Sequence, residues 1–93
     1  MKSIMDIEEG RCYLCGGYAT ERHHLIGGAH SNRVYCDEDG LVIPVCRRCH
    51  EKIHSSSVLS HSLRAKAQKK WEALSTKENP RAEWMKRYGR NYL

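Results

Sequence analysis

Two Cys-x-x-Cys pairs, Cys12/Cys15 and Cys46/Cys49, set the strongest limit on what this chain can fold into. Thiolates are soft ligands that suit tetrahedral zinc, and a two-residue spacer lets both sulfurs of a pair reach one ion. Thirty residues separate Cys15 from Cys46, enough for a two-stranded insert whose ends return to one point. The four cysteines therefore read as one structural zinc site. Its binding energy is folding energy. The alternatives are a redox pair, which lacks a surrounding βαβ pattern, and a three-cysteine site completed by His50 or His23. Cys36 reads as a free cysteine in a loop.

A staple is what a chain of this size needs. Its 93 residues fit one domain, 40% of them are hydrophobic, and there is no Phe. A core that small is commonly completed by a metal, a disulfide or a partner. No apolar run is long enough to span a membrane. The first residues carry Asp6, Glu8 and Glu9 and no apolar core of a secretory signal. The expected compartment is the cytoplasm, where paired cysteines read as metal sites rather than disulfides. The formal net charge of +5 favours a polyanionic partner.

The chain divides into a loose acidic lead-in (1–11), a zinc-stapled core (12–54) and a C-terminal helical clamp of the same domain (55–93). Within the core, residues 12–17 form a knuckle, 18–26 a strand, 27–40 a loop rich in Gly, Ser, Asn and Asp, and 41–45 a second strand that Pro44 assigns to a sheet edge or strand end. Helical character runs from Arg47 to His54. Leu59, Leu63, Ala67, Trp71 and Leu74 recur at helical spacing, with Ser57 as the expected cap. Asn79 followed by Pro80 starts a last helix that Gly89 ends. Trp71 and Trp84 are the expected clamp residues. The fold class is small α+β.

All six histidines lie between residues 23 and 61. His50 and His54, four apart on a helix, face one side and can hold one ion. His23 and His24 are neighbours on a strand and point to opposite faces, unless a local distortion brings both to a common cleft. Three imidazoles, His23, His50 and His54, leave positions on a divalent metal open to water or phosphate, and His24 is then free to act as a base. A neutral imidazole can take a proton from an attacking water near pH 7. A metal with open positions stabilises the charge that develops on a phosphodiester. Zn suits the imidazoles; Mg, Mn or Ni are the other candidate ions. His30 and His61 read as surface or packing residues.

The pattern Cys12-x-x-Cys15, Arg22-His23-His24, then residues 40–45 (GLVIPV) and Cys46-x-x-Cys49-His50-x-x-x-His54 resembles the HNH nuclease family, of the zinc-stapled, phage-associated kind. The resemblance is strongest over residues 12–54, and residues 68–72 and 88–93 are similar to the segment after the nuclease core in small phage proteins of this sort. It implies a ββα-metal core followed by two helices, with His23, His50 and His54 on a catalytic divalent metal and His24 as general base. It also implies a metal-dependent DNA endonuclease or nickase. In that family an Asn at the start of the second strand braces the base histidine. Here the position is Gly40, and Asp37, Asp39 and Asn32 are the candidates to replace it. The DNA-contact residues implied are Arg22, Arg33, Arg47, Arg48 and Lys52, through sequence-independent phosphate contacts. The competing readings are a non-catalytic zinc module that binds DNA or a phage protein, and an assembly role. A homodimer is a further partner consistent with so small a domain.

Overall fold

The computed structural model describes residues 2–93. Two antiparallel strands, β1 (Glu21–His24) and β2 (Val42–Val45), are joined through a helix, α1 (His30–Asp39). Three helices follow: α2 (Arg47–Ser55), α3 (Ser57–Leu74) and α4 (Pro80–Tyr88). The strand register pairs Glu21 with Val45 and His24 with Val42. The result is a small α+β unit with the histidine pair on one strand and the second cysteine pair directly after the other. No helix among the described residues is long and apolar enough to cross a membrane.

β2 is buried along its whole length, as a continuous apolar run requires when both faces are covered. Pro44 is tolerated because the sheet has only two strands. Its carbonyl accepts from the Tyr13 N–H at 2.8 Å, so the first knuckle docks on the open edge of β2. The core joins Leu25, Ile26, Leu41 and Ile43 to Ile53 of α2, Leu63 and Ala67 of α3 and Trp84 of α4.

Three local expectations need correction. Residues 27–40 are not all loop, since α1 occupies His30–Asp39. Its sequence hides it: Ala29 provides no side-chain cap, and few apolar residues mark a face. The helix is held instead by tertiary contacts, with Cys36 fully buried and Gly40 closing it at φ +76°. The lead-in is not loose. The Ile4 N–H donates to the Gly40 carbonyl at 2.9 Å, the Ser3 hydroxyl donates to the Val42 carbonyl at 2.7 Å, and Met5 is buried. The cap of α3 is Ser56 rather than Ser57, its Oγ accepting from the Leu59 N–H. The Asn79 cap, Pro80 start and Gly89 stop of α4 stand as expected.

The clamp is anchored on α1. Trp71 and Trp84 meet edge to face at 5.4 Å between centroids, and Tyr88 lies 4.2 Å from Trp84. Asp39, at the end of α1, accepts from Trp71 Nε1 (2.9 Å), Arg87 Nε (2.7 Å), Arg87 Nη2 (2.9 Å) and Tyr88 Oη (2.7 Å). One carboxylate thus ties α3 and α4 to the insert between the strands.

Candidate functional site

Four sulfurs converge. One ligand atom each from Cys12, Cys15, Cys46 and Cys49 lies within 4.8 Å of the others, and the Cys15 and Cys46 Sγ atoms are 3.8 Å apart. A tetrahedron with Zn–S bonds of about 2.3 Å separates its sulfurs by about 3.8 Å, so the group fits zinc. Folding explains the geometry. The first pair sits on a turn closed by the Cys12 N–H to Gly17 carbonyl bond. The second straddles the start of α2, where Cys46 is the N-cap and its sulfur accepts from the Cys49 N–H at 3.4 Å.

The protonation pattern suits a cation. Burial opposes the Cys12 thiolate, yet backbone hydrogen bonds from Cys46, Cys15 and Leu14 hold it down to about 6. Burial and the neighbouring sulfurs push Cys49 up to about 12. Crowded thiols cannot all ionise alone; a divalent ion removes that conflict. Cys36 stays outside this cluster. Its thiol donates to the Ile26 carbonyl at 3.5 Å and burial pushes it up to about 11. All five cysteines are free of disulfides.

A second cluster stands apart from the first. His23, His50 and His54 each bring one nitrogen within 4.8 Å of the others, with ring centroids 5.1 Å (His23–His50), 5.6 Å (His23–His54) and 4.9 Å (His50–His54) apart. His50 and His23 group with His54 here, while the sulfurs form a complete four-cysteine set without either one. α2 serves both clusters: Cys46 and Cys49 turn to the sulfurs, and His50 and His54 to the imidazoles. Burial, then the fields of His50, His54, His24 and Arg64, push His23 down to about 4. Its ring is neutral at pH 7, the form that binds metal. Three nitrogen donors with no fourth protein ligand grouped with them among the described residues fit an open metal site.

Two carboxylates orient the imidazoles. Glu21 Oε1 lies 2.7 Å from His50 Nδ1; a proton donated there leaves Nε2 free as a ligand. Glu21 shares a strand face with His23, two residues on, so the alternation of β1 carried a signal for it. Asp37 Oδ1 lies 3.0 Å from His24 Nε2 and 3.4 Å from Arg22 Nη2. Arg22 and His24 are two residues apart on β1, so one α1 carboxylate meets both, and both still line the same cleft as His23.

The three candidates to replace the family's asparagine separate cleanly. Asp37 contacts His24 directly. Asp39 is committed to the helical clamp. Asn32 donates to the Gly27 carbonyl at 2.9 Å and fastens the loop after β1. Gly40 leaves no room for a side chain: a Cβ there would stand 3.0 Å from the Ile4 nitrogen.

His23, His24, His50 and His54 open onto one cleft of about 900 Å³, which Arg22, Arg33 and Arg64 also line. Of the other basic candidates, Arg47 pairs with Glu51 at 3.6 Å and borders an adjacent cleft with His50 and His54. Arg48 and Lys52 are exposed on α2 and line neither cleft. Arg64 escaped notice in the sequence because it sits on α3, beyond the histidine motif, among other basic residues.

Residues 4–62 match a family model described as "Protein of unknown function (DUF968)". The chain is also similar to the uncharacterized protein YdfU of Escherichia coli (strain K12), 36% identical over 47 residues. That match covers 50% of this chain and 14% of the relative, so the chain spans a small part of that protein's length. No solved structure matches.

Proposed function

Since the chain belongs to the DUF968 family, whose description names no activity, we propose a function from its site: a metal-dependent DNA endonuclease or nickase of the HNH kind. The observation that carries the proposal is the pairing of a three-histidine cluster with a fourth imidazole, His24, on the same cleft. Metal storage or a second structural staple has no use for a separate imidazole held by its own carboxylate.

The four cysteines hold structural zinc, and His23, His50 and His54 hold the second divalent ion. When bound, that ion supplies Lewis-acid stabilisation of charge on the phosphate and the leaving oxygen. The protein's own part is proton transfer and orientation. Asp37 accepts a hydrogen bond from the His24 Nε2–H and so fixes the tautomer, leaving Nδ1 with a lone pair to take a proton from water. Asp37 thereby performs the bracing that Gly40 cannot. Glu21 does the same for His50, holding its ring for ligation. The basic lining of the cleft favours the phosphodiester backbone over any neutral substrate. Arg22 is partly neutralised by Asp37, which leaves Arg33 as the exposed phosphate contact of the core.

The test is relaxation of supercoiled plasmid by the zinc-loaded protein with Mg, Mn, Ni and Zn in turn. Conversion to open-circle or linear DNA with at least one ion is expected. Duplex binding with no cleavage under any ion would leave a non-catalytic zinc module that binds DNA or a phage protein.

A further inference from the structure

The histidine cleft is lined by three arginines, four histidines and a run of serines, and by no carboxylate. Its two orienting acids, Glu21 and Asp37, are not among the residues that line it. Such a lining recognises an anion with several acceptor oxygens. Its arginines are not equivalent. Arg22 is paired with Asp37. Arg33 is exposed on α1. Arg64 is half-buried on α3 and has no carboxylate partner among the described residues.

Arg64 is nevertheless held. Its guanidinium lies 5.7 Å from the centre of the Tyr92 ring, within cation–π range. Tyr92 is fixed in turn by Gln68, one helical turn beyond Arg64 on the same face of α3. Gln68 Oε1 accepts from the Tyr92 N–H at 2.6 Å, and its Nε2 donates to Asn91 Oδ1 at 2.8 Å. Gln68 is the one buried polar side chain among the described residues, at 0% exposure. Burying an amide is costly unless it is fully bonded, and here the C-terminal residues supply two of its partners. The outcome is a strut from the tail to a guanidinium that faces the histidines. None of these residues lies within the span 4–62 that the family model matches.

We infer that Arg64 binds a non-bridging oxygen of the DNA backbone phosphate in this cleft, and that Asn91 and Tyr92, tied to Gln68, position it. The inference rests on the nuclease reading for its catalytic consequence, but not for the phosphate contact itself. Arg64 enters from outside the strand–strand–helix unit, so the helical clamp completes the substrate site as well as the core.

The experiment uses the zinc-loaded full chain and compares wild type with Arg64→Ala, Arg64→Lys, Tyr92→Ala and Tyr92→Phe. The readouts are plasmid nicking and the salt dependence of binding to a short duplex. Zinc content and thermal melting confirm that each variant is folded. For Arg64→Ala, cleavage should fall roughly 10- to 100-fold, as expected for one charge-assisted bond. Its log–log salt slope should shrink by about 0.9, one phosphate contact. Arg64→Lys should keep the slope and lose part of the rate, because it keeps the charge but not the fork. Tyr92→Ala should lower the rate, and Tyr92→Phe, which keeps the ring, should restore it. A merely structural role for Arg64 would leave the salt slope unmoved. An Arg64→Ala protein with wild-type slope overturns the inference whether or not wild type cuts DNA. If wild type never cuts yet the slope shrinks, the nuclease reading fails and the phosphate contact stands.

Discussion

Replacing Asp39 by alanine should loosen the helical clamp without touching the cysteine or the histidine cluster. The carboxylate accepts four hydrogen bonds, from Trp71, Tyr88 and twice from Arg87. Hydrogen bonds to a charged group contribute about 1.5–3 kcal/mol each, but a simple sum overshoots because the freed donors recover some water. Removing one partner of a buried ion pair costs about 3–5 kcal/mol. The Asp39 and Arg87 side chains are 17% and 29% exposed, which places the loss at the low end, about 3 kcal/mol. A domain of this size loses roughly 4–8 °C of Tm per kcal/mol, so Asp39→Ala should lower Tm by roughly 12–24 °C. Thermal unfolding followed by circular dichroism, with zinc saturating, measures this directly. Glu38→Ala is the control. Glu38 makes one contact to the same Arg87 at 2.8 Å but is 58% exposed, and its loss should cost no more than about 1 kcal/mol. A Tm for Asp39→Ala within about 4 °C of wild type, or no lower than that of Glu38→Ala, would refute the assignment of Asp39 as the clamp's anchor.

Three other outcomes are expected from the same geometry. Chelating the structural zinc, or Cys46→Ser, should unfold the chain cooperatively, since zinc held by thiolates contributes on the order of 10 kcal/mol to such folds; retention of native circular dichroism without zinc contradicts the staple. Asp37→Asn should slow cleavage by roughly 10- to 100-fold by releasing the His24 tautomer, with duplex binding kept; an unchanged rate removes Asp37 from the mechanism. His23 is depressed from an ordinary 6.5 to about 4, so below pH 6.5 the unfolded chain binds a proton that the folded chain refuses, and stability is lost as pH falls from 6.5 towards 4. His23→Gln should remove that part of the pH dependence in denaturant titrations, and an identical slope in both proteins contradicts it.

The cysteine and histidine clusters were legible in the sequence because their logic is local. Cys12 and Cys15, Cys46 and Cys49, and His50 and His54 are short-range pairs whose spacing fixes their common direction. Only the convergence of the pairs needed the fold. Glu21 was accessible in principle through strand alternation with His23, but a single acid at a strand start reads as a surface charge. α1 was hidden because its stability comes from buried Cys36 and the Gly40 turn rather than from a side-chain N-cap or an apolar stripe. Asp39 and Arg64 were invisible for a different reason. The partners of Asp39 lie 32 to 49 residues away, and the strut behind Arg64 comes from the C-terminal residues. No periodic pattern announces such contacts.

The central claim is that His24 is the base of a metal-dependent DNA-cutting site, and it is tested most directly by comparing wild type with His24→Ala in two measurements on the same DNA. One is the nicking rate on supercoiled plasmid with the best divalent ion; the other is affinity for duplex. His24→Ala should lose at least about 100-fold in rate, the contribution typical of a general base, while its affinity and zinc content match wild type. A His24→Ala protein that nicks at the wild-type rate, or a wild-type protein that binds duplex and cuts it with none of the ions, contradicts the claim.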